Sequence, residues 1–416
     1  MVLAEAKVKK RIWMLVPLSL LFLFSQFYRS SSAVIASDLM HDLSLRAADL
    51  GLLSSAFFYA FALVQIPMGA AMDLFGAKRL ILLLSLLGIG GAVTFALANS
   101  FPMAVLGRVL LGLGMACALM GTYKLLTIWF PPDTFATMSG FVLSIGTLGN
   151  VFATAPLAMA VNWLGWRKVF LFIALIHLLI AIWIYLGVSD RPEGKDGGED
   201  RMHEKGLWKE SMEGIRKVLQ LPSFWFIALA AFVRYGTYIS IAGLWAGPYL
   251  EVVYGLPLVD RGRTLMAFPI GFIVGGPIFG FLSDRVFNSR KKVTTIGMLL
   301  FTLFIFPLIG FFPLSTHLLL VIFFGIGLFS SCGQVMYANI KELLPSSIAA
   351  TAMTAVNFFT IGGGAFFQHI MGAMIDRFPL SQGQLSSEAF SFAFGLCFAA
   401  AALGSVAYLF VEEKRS

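Results

Sequence analysis

Long apolar segments recur along the whole chain and are separated by short polar loops. The segments are centred near residues 24, 60, 89, 112, 149, 178, 236, 273, 302, 328, 362 and 400. Each approaches the roughly 20 residues that a helix needs to cross a bilayer. Because a compact globule could not keep so much apolar surface from water, the pattern predicts an all-α membrane protein with twelve transmembrane helices.

Composition points to the same class of protein. Of the 416 residues, 58% are hydrophobic and 12% are charged, whereas a soluble domain carries about 25% charged residues. The apolar part of the first 35 residues is longer than the core of a signal peptide and lacks a clean cleavage site, so it is predicted to be the first spanning helix. The three cysteines lie in apolar segments without a metal-ligand spacing, and we expect neither a metal nor a cofactor.

Basic residues are unevenly distributed between the two sets of predicted loops. The chain holds 30 Lys and Arg against 22 Asp and Glu, and most of the basic residues fall on the side of both termini. By the positive-inside rule both termini are predicted to be cytoplasmic, in a multi-pass protein of the cytoplasmic (inner) membrane. In this setting the net charge of +8 indicates membrane orientation, and no nucleic-acid partner is expected.

One sizeable polar interval divides six predicted helices from six. It predicts an N-terminal bundle over residues 1–188, a cytoplasmic linker over 189–222 and a C-terminal bundle over 223–416. Residues 206–221 of the linker place apolar side chains on one helical face and charged ones elsewhere, which is typical of an amphipathic helix lying on the inner leaflet.

The loops after the second and eighth predicted helices share a pattern. Gly69 and Asp73 precede Lys78 and Arg79, and a Gly, an Asp four residues later and a basic cluster recur from residue 280 to residue 292. The repeat indicates an internal duplication of six helices. Parallel repeats of this kind are one known transporter plan, with the substrate site between the halves near the membrane midplane.

The first of these loops, Gly-x-x-x-Asp-x-x-Gly-x-Lys-Arg, resembles the hallmark motif of the major facilitator superfamily. The segment from Gly107 to Gly114, with Arg108, resembles the second signature of that superfamily. The resemblance implies two pseudo-symmetric six-helix bundles and a conformational gate at the loops; a turn with only a topological role is the alternative. The residues assigned to gating are Gly69, Asp73, Gly76, Lys78, Arg79, Arg108, Asp284 and Arg285.

Two arginines are predicted to lie inside the membrane, where ionisable residues are costly and often functional. Arg29 lies deep in the first helix, and Arg234 lies in the seventh, at approximately the corresponding place of the second half. Two guanidinium groups facing one cavity would repel each other unless an anion lay between them, and the Arg fork suits a carboxylate or phosphate. We therefore predict that both bind an anion; snorkelling to an interface or pairing with a helix C-terminus is the alternative for each.

Carboxylates are scarce in the predicted spans. Apart from Asp38 at the outer end of the first helix, Asp and Glu fall at helix ends or in loops. A proton-coupled carrier usually needs a buried titratable group, and His177 and His369 remain, with a core role favoured over titration for His369. A cationic cavity is stabilised when an anion binds, which favours anion exchange or symport in which the substrate brings its own proton.

Two transporter families share local sequence features with the chain. The segment from Phe27 to Ala36 resembles the first helix of the organophosphate:phosphate antiporters and of the anion:cation symporters that carry sugar acids. The segment from Lys124 to Pro131 resembles the end of the fourth helix in the sugar-acid group, where a basic residue contacts substrate or a coupling acid. Lys124 is equally compatible with an inner-leaflet anchor. The sugar-acid symporters place Asp where this chain has Tyr28.

Neutral polar and aromatic side chains in the predicted spans complete a candidate cavity. Interhelical hydrogen bonding explains each of them singly, but they cluster on helices that line such cavities in similar carriers. The full set predicted to contact substrate is Arg29, Arg234, Lys124, Tyr28, Gln26, Tyr59, Asn150, Tyr238, Trp245, Gln334, Tyr337 and Asn357.

These patterns together predict a secondary active transporter that works by alternating access. Its expected substrate is a small organic anion such as a carboxylate, sugar acid or organophosphate, its expected environment is the lipid bilayer, and a monomer is expected, with a proton or a counter-anion as coupling partner. The chain shows no nucleotide-binding loop or catalytic triad, so enzymatic chemistry is not predicted. An amino-acid or zwitterion carrier, a multidrug efflux pump and a non-transporting sensor are the alternatives.

Overall fold

The computed structural model describes residues 2–131, 134–190, 214–310, 314–380 and 385–413. Over these residues eleven helices are long and apolar enough to cross a membrane. A bent helix pair, Thr137–Phe152 with Ala155–Leu164, makes a twelfth span. The predicted all-α fold with twelve spans is confirmed.

The chain divides into two compact units. The first comprises Met1–Lys195 together with Leu256–Gly262, and the second comprises Asp196–Gly255 and Arg263–Ser416. The boundary near residue 195 falls inside the predicted linker. Most of that linker, including residues 206–213 of the predicted amphipathic helix, lies outside the described residues, while 214–220 are helical.

The first unit contains spans one to six. Each span follows an apolar segment of the sequence, and three of them consist of two helices separated by a short interruption. In chain order the helices are Val2–Ser30 and Ser32–Asp42, Ala47–Phe75, Ala77–Ala96, Phe101–Met115 and Ala118–Trp129, Phe135–Phe152 and Ala155–Leu164, and Trp166–Gly187.

Spans seven to twelve repeat this plan and belong to the second unit, except that the first residues of the short helix before the eighth span fall in the first unit. The seventh span includes a π-helical turn, and the tenth is interrupted like the fourth. In chain order the helices are Pro222–Ser240, Ile241–Trp245 and Ala246–Tyr254, the short Leu258–Leu265, Ala267–Phe281 and Leu282–Val286, Arg290–Ile305 and Phe306–Ile309, Thr316–Ser330 and Gly333–Leu343, Ser346–Ile375, and Ser387–Tyr408.

Glycines bring helices of each unit into direct main-chain contact. A Cβ added to Gly149 in the fifth span would lie 2.1 Å from the carbonyl oxygen of Leu23 in the first. A Cβ added to Gly363 in the eleventh span would lie 2.0 Å from the carbonyl oxygen of Phe232 in the seventh. Both distances are too short for any side chain, so these positions explain the glycine-rich segments by close helix packing.

Candidate functional site

Arg29 lies near the end of the first helix of the first span and is 8% exposed. Its guanidinium carbon lies 4.6 Å from the centre of the Phe61 ring and 6.0 Å from that of Phe58, both on the second span. Aromatic faces attract a desolvated cation. Arg29 is thus held inside the first unit on an aromatic surface and does not extend along the helix to its far end.

The first span is interrupted immediately after Arg29. The helix ends at Ser30 and resumes at Ser32. The Ser30 hydroxyl donates to the Asn150 side-chain oxygen at 2.6 Å, which ties the interruption to the fifth span. Asn150, predicted from sequence as a substrate contact, therefore bonds to the residue that follows Arg29 in the chain.

Arg234 lies in the seventh span and is 4% exposed. Its Nη1 donates to the carbonyl oxygen of Ser330 at 2.5 Å and to the Ser330 hydroxyl at 3.1 Å. Ser330 ends the first helix of the tenth span. Arg234 therefore pairs with a helix C-terminus, one of the two alternatives to anion binding that the sequence left open.

Arg29 and Arg234 do not occupy equivalent positions in the two halves. Gly69 and Asp73 precede Gly280 and Asp284 by 211 residues. The same offset places the counterpart of Arg29 at residue 240, where the π-helical turn of the seventh span begins. Arg234 is six residues earlier, roughly 9 Å along a helix at 1.5 Å per residue, so the two positions correspond only approximately, as the sequence indicated.

Tyr28 is a core residue of the first unit. It is 0% exposed, and its ring lies among those of Phe24, Phe170 and His177 at 6.1 to 6.3 Å between centres. This placement contradicts the prediction that Tyr28 contacts substrate. The cause is helical periodicity, because adjacent residues point about 100° apart and only one of Tyr28 and Arg29 can face a given surface.

Two predicted polar residues of the second unit are joined directly. The Tyr337 hydroxyl of the tenth span lies 3.1 Å from the Asn357 side-chain oxygen and 3.2 Å from the Thr360 hydroxyl, both on the eleventh span. Thr360 donates its own hydroxyl to the carbonyl oxygen of Val356. The sequence did not single out Thr360, which the pairing with Tyr337 identifies.

The other predicted contacts differ in exposure. Tyr238 is buried and stacks on Phe272 with 5.7 Å between ring centres. Trp245 is fully buried within the π-helical turn, and its Nε1 has no hydrogen-bond partner among the described residues. Partly or well exposed are Gln26, Tyr59, Lys124 and Gln334. Substrate contact by these residues stays a prediction.

Arg108 lies wholly inside the first unit. It is 1% exposed, and its Nη1 donates to the carbonyl oxygen of Tyr28 at 2.9 Å while Nη2 donates to that of Ser54 at 3.4 Å. The guanidinium carbon also lies 5.1 Å from the centre of the Phe57 ring. Arg108 therefore joins spans one, two and four through main-chain carbonyls.

The predicted gate of the first unit includes a contact that the sequence did not indicate. The surroundings of Gly69 and of the Asp73 side chain lie outside what the structure describes. Gly76 adopts a φ of 84°, which suits glycine at this turn. The Lys78 amide at the start of the third span donates to the Asp190 carboxylate at 2.7 Å, and Arg79 is exposed.

The second unit repeats this carboxylate contact and adds an ion-pair cluster. Glu413, which follows the twelfth span, accepts hydrogen bonds from the Ser289 hydroxyl at 2.7 Å and the Lys291 amide at 3.2 Å. Arg290 pairs with Asp284 and, at 3.0 Å, with Glu342. Arg285, which was predicted to share the gate, is exposed.

The two carboxylates therefore have matching positions. Asp190 follows the sixth span and Glu413 the twelfth, and each accepts from amides at the N-terminus of the third helix of its half. Carboxylates are favoured there by the helix dipole. An acidic residue just after the last span of each half was the available sequence signal.

His177 is buried and bound within the first unit. Its Nε2 lies 2.8 Å from the Ser85 hydroxyl, and its side chain is 0% exposed. His369 is partly buried. The residues that the structure describes contain no group of three His, Cys, Asp or Glu side chains that could hold a metal ion, and the three cysteines are buried and unpaired with one another.

Comparison with known proteins agrees with this architecture. A probable sulfoacetate transporter of Cupriavidus necator is 24% identical over 73% of this chain and 74% of its own length. A probable galactarate/D-glucarate transporter of Escherichia coli is 25% identical over 85% of each chain.

A solved structure shows the same fold. The crystal structure of a bacterial homologue of the human lysosomal transporter Spinster, in an inward-facing and occupied conformation, superposes with a TM-score of 0.77 at 20% identity and covers 96% of each chain. The model of the Major Facilitator Superfamily matches residues 18–367 and 264–416. The chain therefore belongs to the Major Facilitator Superfamily and is a membrane transporter rather than an enzyme.

Proposed function

We propose that this transporter carries small organic anions with two negatively charged groups, of the sugar-acid or sulfonated-acid type. The observation that carries the proposal is the buried guanidinium of Arg29, held against Phe61 and Phe58 beside the interruption of the first span. Sulfoacetate, galactarate and D-glucarate, for which the two relatives described above are named, are all dianions. A chain with these relatives and this buried cation fits the same substrate class.

Arg29 suits anion recognition on energetic grounds. Transfer of a cation from water costs several kcal/mol, and cation–π contacts return about 0.5–2 kcal/mol. A guanidinium near aromatic faces keeps N–H donors in its plane, where a carboxylate or sulfonate accepts two parallel hydrogen bonds. A bound anion would add charge-assisted hydrogen bonds to the guanidinium, so the loaded carrier would be the more stable one.

Neutral polar groups near the candidate residues would recognise substrate hydroxyls. In the first unit Ser30, which follows Arg29 in the chain, is bonded to Asn150, and in the second unit Tyr337 is bonded to Asn357 and Thr360. Hydroxyl and amide groups can exchange these mutual hydrogen bonds for bonds to a polyhydroxy acid. This composition favours hydroxylated sugar acids within the dianion class.

We also propose how anion transport is coupled and how the protein is oriented in the membrane. Since binding of an anion stabilises the cationic site, reorientation is favoured in the loaded state, which fits exchange of anions or symport with a proton carried by the substrate. We place the carrier in the cytoplasmic membrane with both termini inside, because basic residues are concentrated on that side. We also propose that it acts as a monomer.

A binding screen tests the proposed function. The purified full-length carrier is heated with D-glucarate, galactarate, sulfoacetate, uncharged galactitol or L-lysine, because a ligand that binds the folded state raises its melting temperature. We expect at least one dianion to stabilise the wild type and Arg29→Gln to lose that shift. The control Arg377→Gln removes one exposed positive charge and should keep the shift. Stabilisation by galactitol or L-lysine alone would contradict the proposal.

A further inference from the structure

The interruption of the tenth span leaves one main-chain carbonyl without its regular helical donor. The first helix of the span ends at Ser330 and the second begins at Gly333. The amide of Gln334 donates to the carbonyl oxygen of Ser331, three residues back, at 3.0 Å. In a regular α-helix that amide would donate to Ser330. The Ser330 oxygen is therefore open to a side-chain donor.

Arg234 supplies this donor from the seventh span. Its Nη1 donates to the Ser330 carbonyl oxygen at 2.5 Å and to the Ser330 hydroxyl at 3.1 Å. The last carbonyls of a helix carry the negative end of its dipole, which favours a cation there. Because the pair is buried, this charge-assisted hydrogen bond is stronger than it would be in water.

Gly333 provides the space in which the guanidinium lies. A Cβ added at Gly333 would be 2.1 Å from Cζ of Arg234 and 2.2 Å from its Nη2. No side chain can approach so closely, so even alanine would displace the guanidinium. The contact thus depends on glycine at the first residue of the second helix as well as on arginine.

The first unit contains the same kind of contact, between a buried arginine and a main-chain carbonyl oxygen, at a different helix interruption. Arg108 of the fourth span donates to the carbonyl oxygen of Tyr28 at 2.9 Å, two residues before the end of the first helix of the first span. Each unit therefore uses one buried arginine to satisfy a carbonyl at a helix interruption. Arg234 resembles Arg108 in its partners, whereas Arg29 contacts aromatic rings.

We propose that Arg234 is a positioning residue that sets the geometry of the tenth span and does not itself bind the anion. The second helix of that span carries Gln334 and Tyr337, which lie within its first two turns. By fixing the geometry of the interruption, Arg234 therefore fixes the positions of Gln334 and Tyr337, which are two of the side chains predicted to contact substrate. The inference rests on the proposed function, in which Arg29 is the cation that binds the anion.

Transport and binding measured together test this role. The full-length carrier is reconstituted in lipid vesicles, and the Kd and the turnover for D-glucarate are measured for wild type, Arg234→Lys, Arg234→Gln and Gly333→Ala. Gly395→Ala is the matched control, since a Cβ there meets nothing within 4 Å. We expect Gly333→Ala and Arg234→Gln to lower turnover about tenfold or more and to change Kd in the same direction and to a similar extent, because both variants disturb the interruption that fixes Gln334 and Tyr337. Arg234→Lys should retain part of the turnover.

A selective loss of binding in the Arg234 variant would contradict the positioning role. If Arg234→Gln weakens D-glucarate binding about tenfold or more while Gly333→Ala binds and transports normally, Arg234 contacts the anion and the inference is wrong. A double-mutant cycle on melting temperature decides the geometry without any substrate. Gly333→Ala should destabilise the wild type but not the Arg234→Ala variant, and equal effects in both backgrounds would overturn the inference. If no dianion binds the wild type, the proposed function fails, and this cycle still reports on Arg234.

Discussion

Three of the buried arginines in the described part of the chain meet the cost of desolvation through aromatic rings or main-chain carbonyls. Arg29 lies against two phenylalanine rings, Arg108 donates to two main-chain carbonyls and contacts a third ring, and Arg234 donates to the end of a helix. A main-chain carbonyl is a fixed acceptor, so an arginine bound to it is held in place. An aromatic face is a less directional partner than a carbonyl oxygen, and Arg29 is accordingly the arginine that we propose as the anion ligand.

A cluster at the end of the second helix of the first span gives a pH-dependent prediction. Asp42 accepts a hydrogen bond from Trp166 Nε1 at 2.9 Å and pairs with Arg167. Burial opposes ionisation of the carboxyl group, but the hydrogen bonds from Trp166, His41 and Arg167 and the positive charge of Arg167 outweigh it. The pKa of Asp42 therefore lies below its ordinary value.

A lowered pKa means that the folded state favours the ionised carboxylate. The stabilisation is present above the ordinary pKa of about 3.9 and is lost as the pH falls through the lowered value. For a partly exposed pair we expect about 1 kcal/mol or less. Asp42→Asn should melt below wild type at pH values between about 5 and 7, and the difference should shrink below about pH 4. A difference in melting temperature between wild type and Asp42→Asn that is unchanged at acidic pH would contradict the lowered pKa of Asp42.

Sequence reasoning located these residues better than it identified their partners. Hydropathy places Arg29 and Arg234 inside spans because a charge interrupts an apolar segment. It could not identify the carbonyl of Ser330 as a partner, since every residue carries a main-chain carbonyl. It also assigned Tyr28 to the substrate site as a polar aromatic residue of the first span, although burial in the core uses such a side chain equally well.

Helices in both units depend on glycine contacts and on interruptions. The first span is interrupted after Ser30, the fourth after Met115, the tenth after Ser330, and the seventh contains the π-helical turn Ile241–Trp245. Side chains satisfy carbonyls at these places: Gln65 donates to Ala116 at 3.0 Å, and Gln368 donates to Ile239 at 3.4 Å. Such interruptions make long helices bendable where a carrier must change shape.

Adjacent glycines of the third span provide a matched test of helix packing. A Cβ at Gly91 would lie 2.6 Å from the amide nitrogen of Leu111 in the fourth span, whereas a Cβ at Gly90 meets nothing within 4 Å. We expect Gly91→Ala to destabilise the carrier by about 1–3 kcal/mol through overpacking. Gly90→Ala should be neutral or slightly stabilising, because alanine favours helix.

Thermal melting of the purified variants in one detergent measures this difference. Similar melting temperatures for Gly90→Ala and Gly91→Ala would show that the third and fourth spans do not approach as closely as described. At the scale of elements, the apolar segments predicted the spans. The interruptions were not predicted, since they arise from packing against other helices and leave hydropathy unchanged.

The two units share a plan that the loop repeat had indicated. Each has a first and a fourth span altered near corresponding places, and each has a carboxylate after its last span bound to the start of its third, Asp190 in one and Glu413 in the other. The halves differ in chemistry, since the position that matches Arg29 is Ser240.

Orientation in the membrane can be tested with single cysteines at opposite ends of the second span. Arg46 and Arg79 lie just before and just after that span, and both are exposed. If both termini are cytoplasmic, a membrane-impermeant maleimide should label Arg46→Cys in intact cells and Arg79→Cys only after permeabilisation. The native cysteines are buried and provide a low background, and the reverse labelling pattern would invert the proposed topology.

The most direct test of anion transport through Arg29 is uptake of radiolabelled D-glucarate into vesicles that contain the reconstituted carrier. Wild type and Arg377→Gln should accumulate label, most rapidly when the vesicles are preloaded with an exchangeable dianion. Arg29→Ala should reduce the initial rate about a hundredfold or more, and Arg29→Lys should keep a part of it, because a point charge replaces the bidentate fork. Uptake by Arg29→Ala at the wild-type rate, with equal protein in the vesicles, would contradict the assignment of Arg29 as the anion-binding residue.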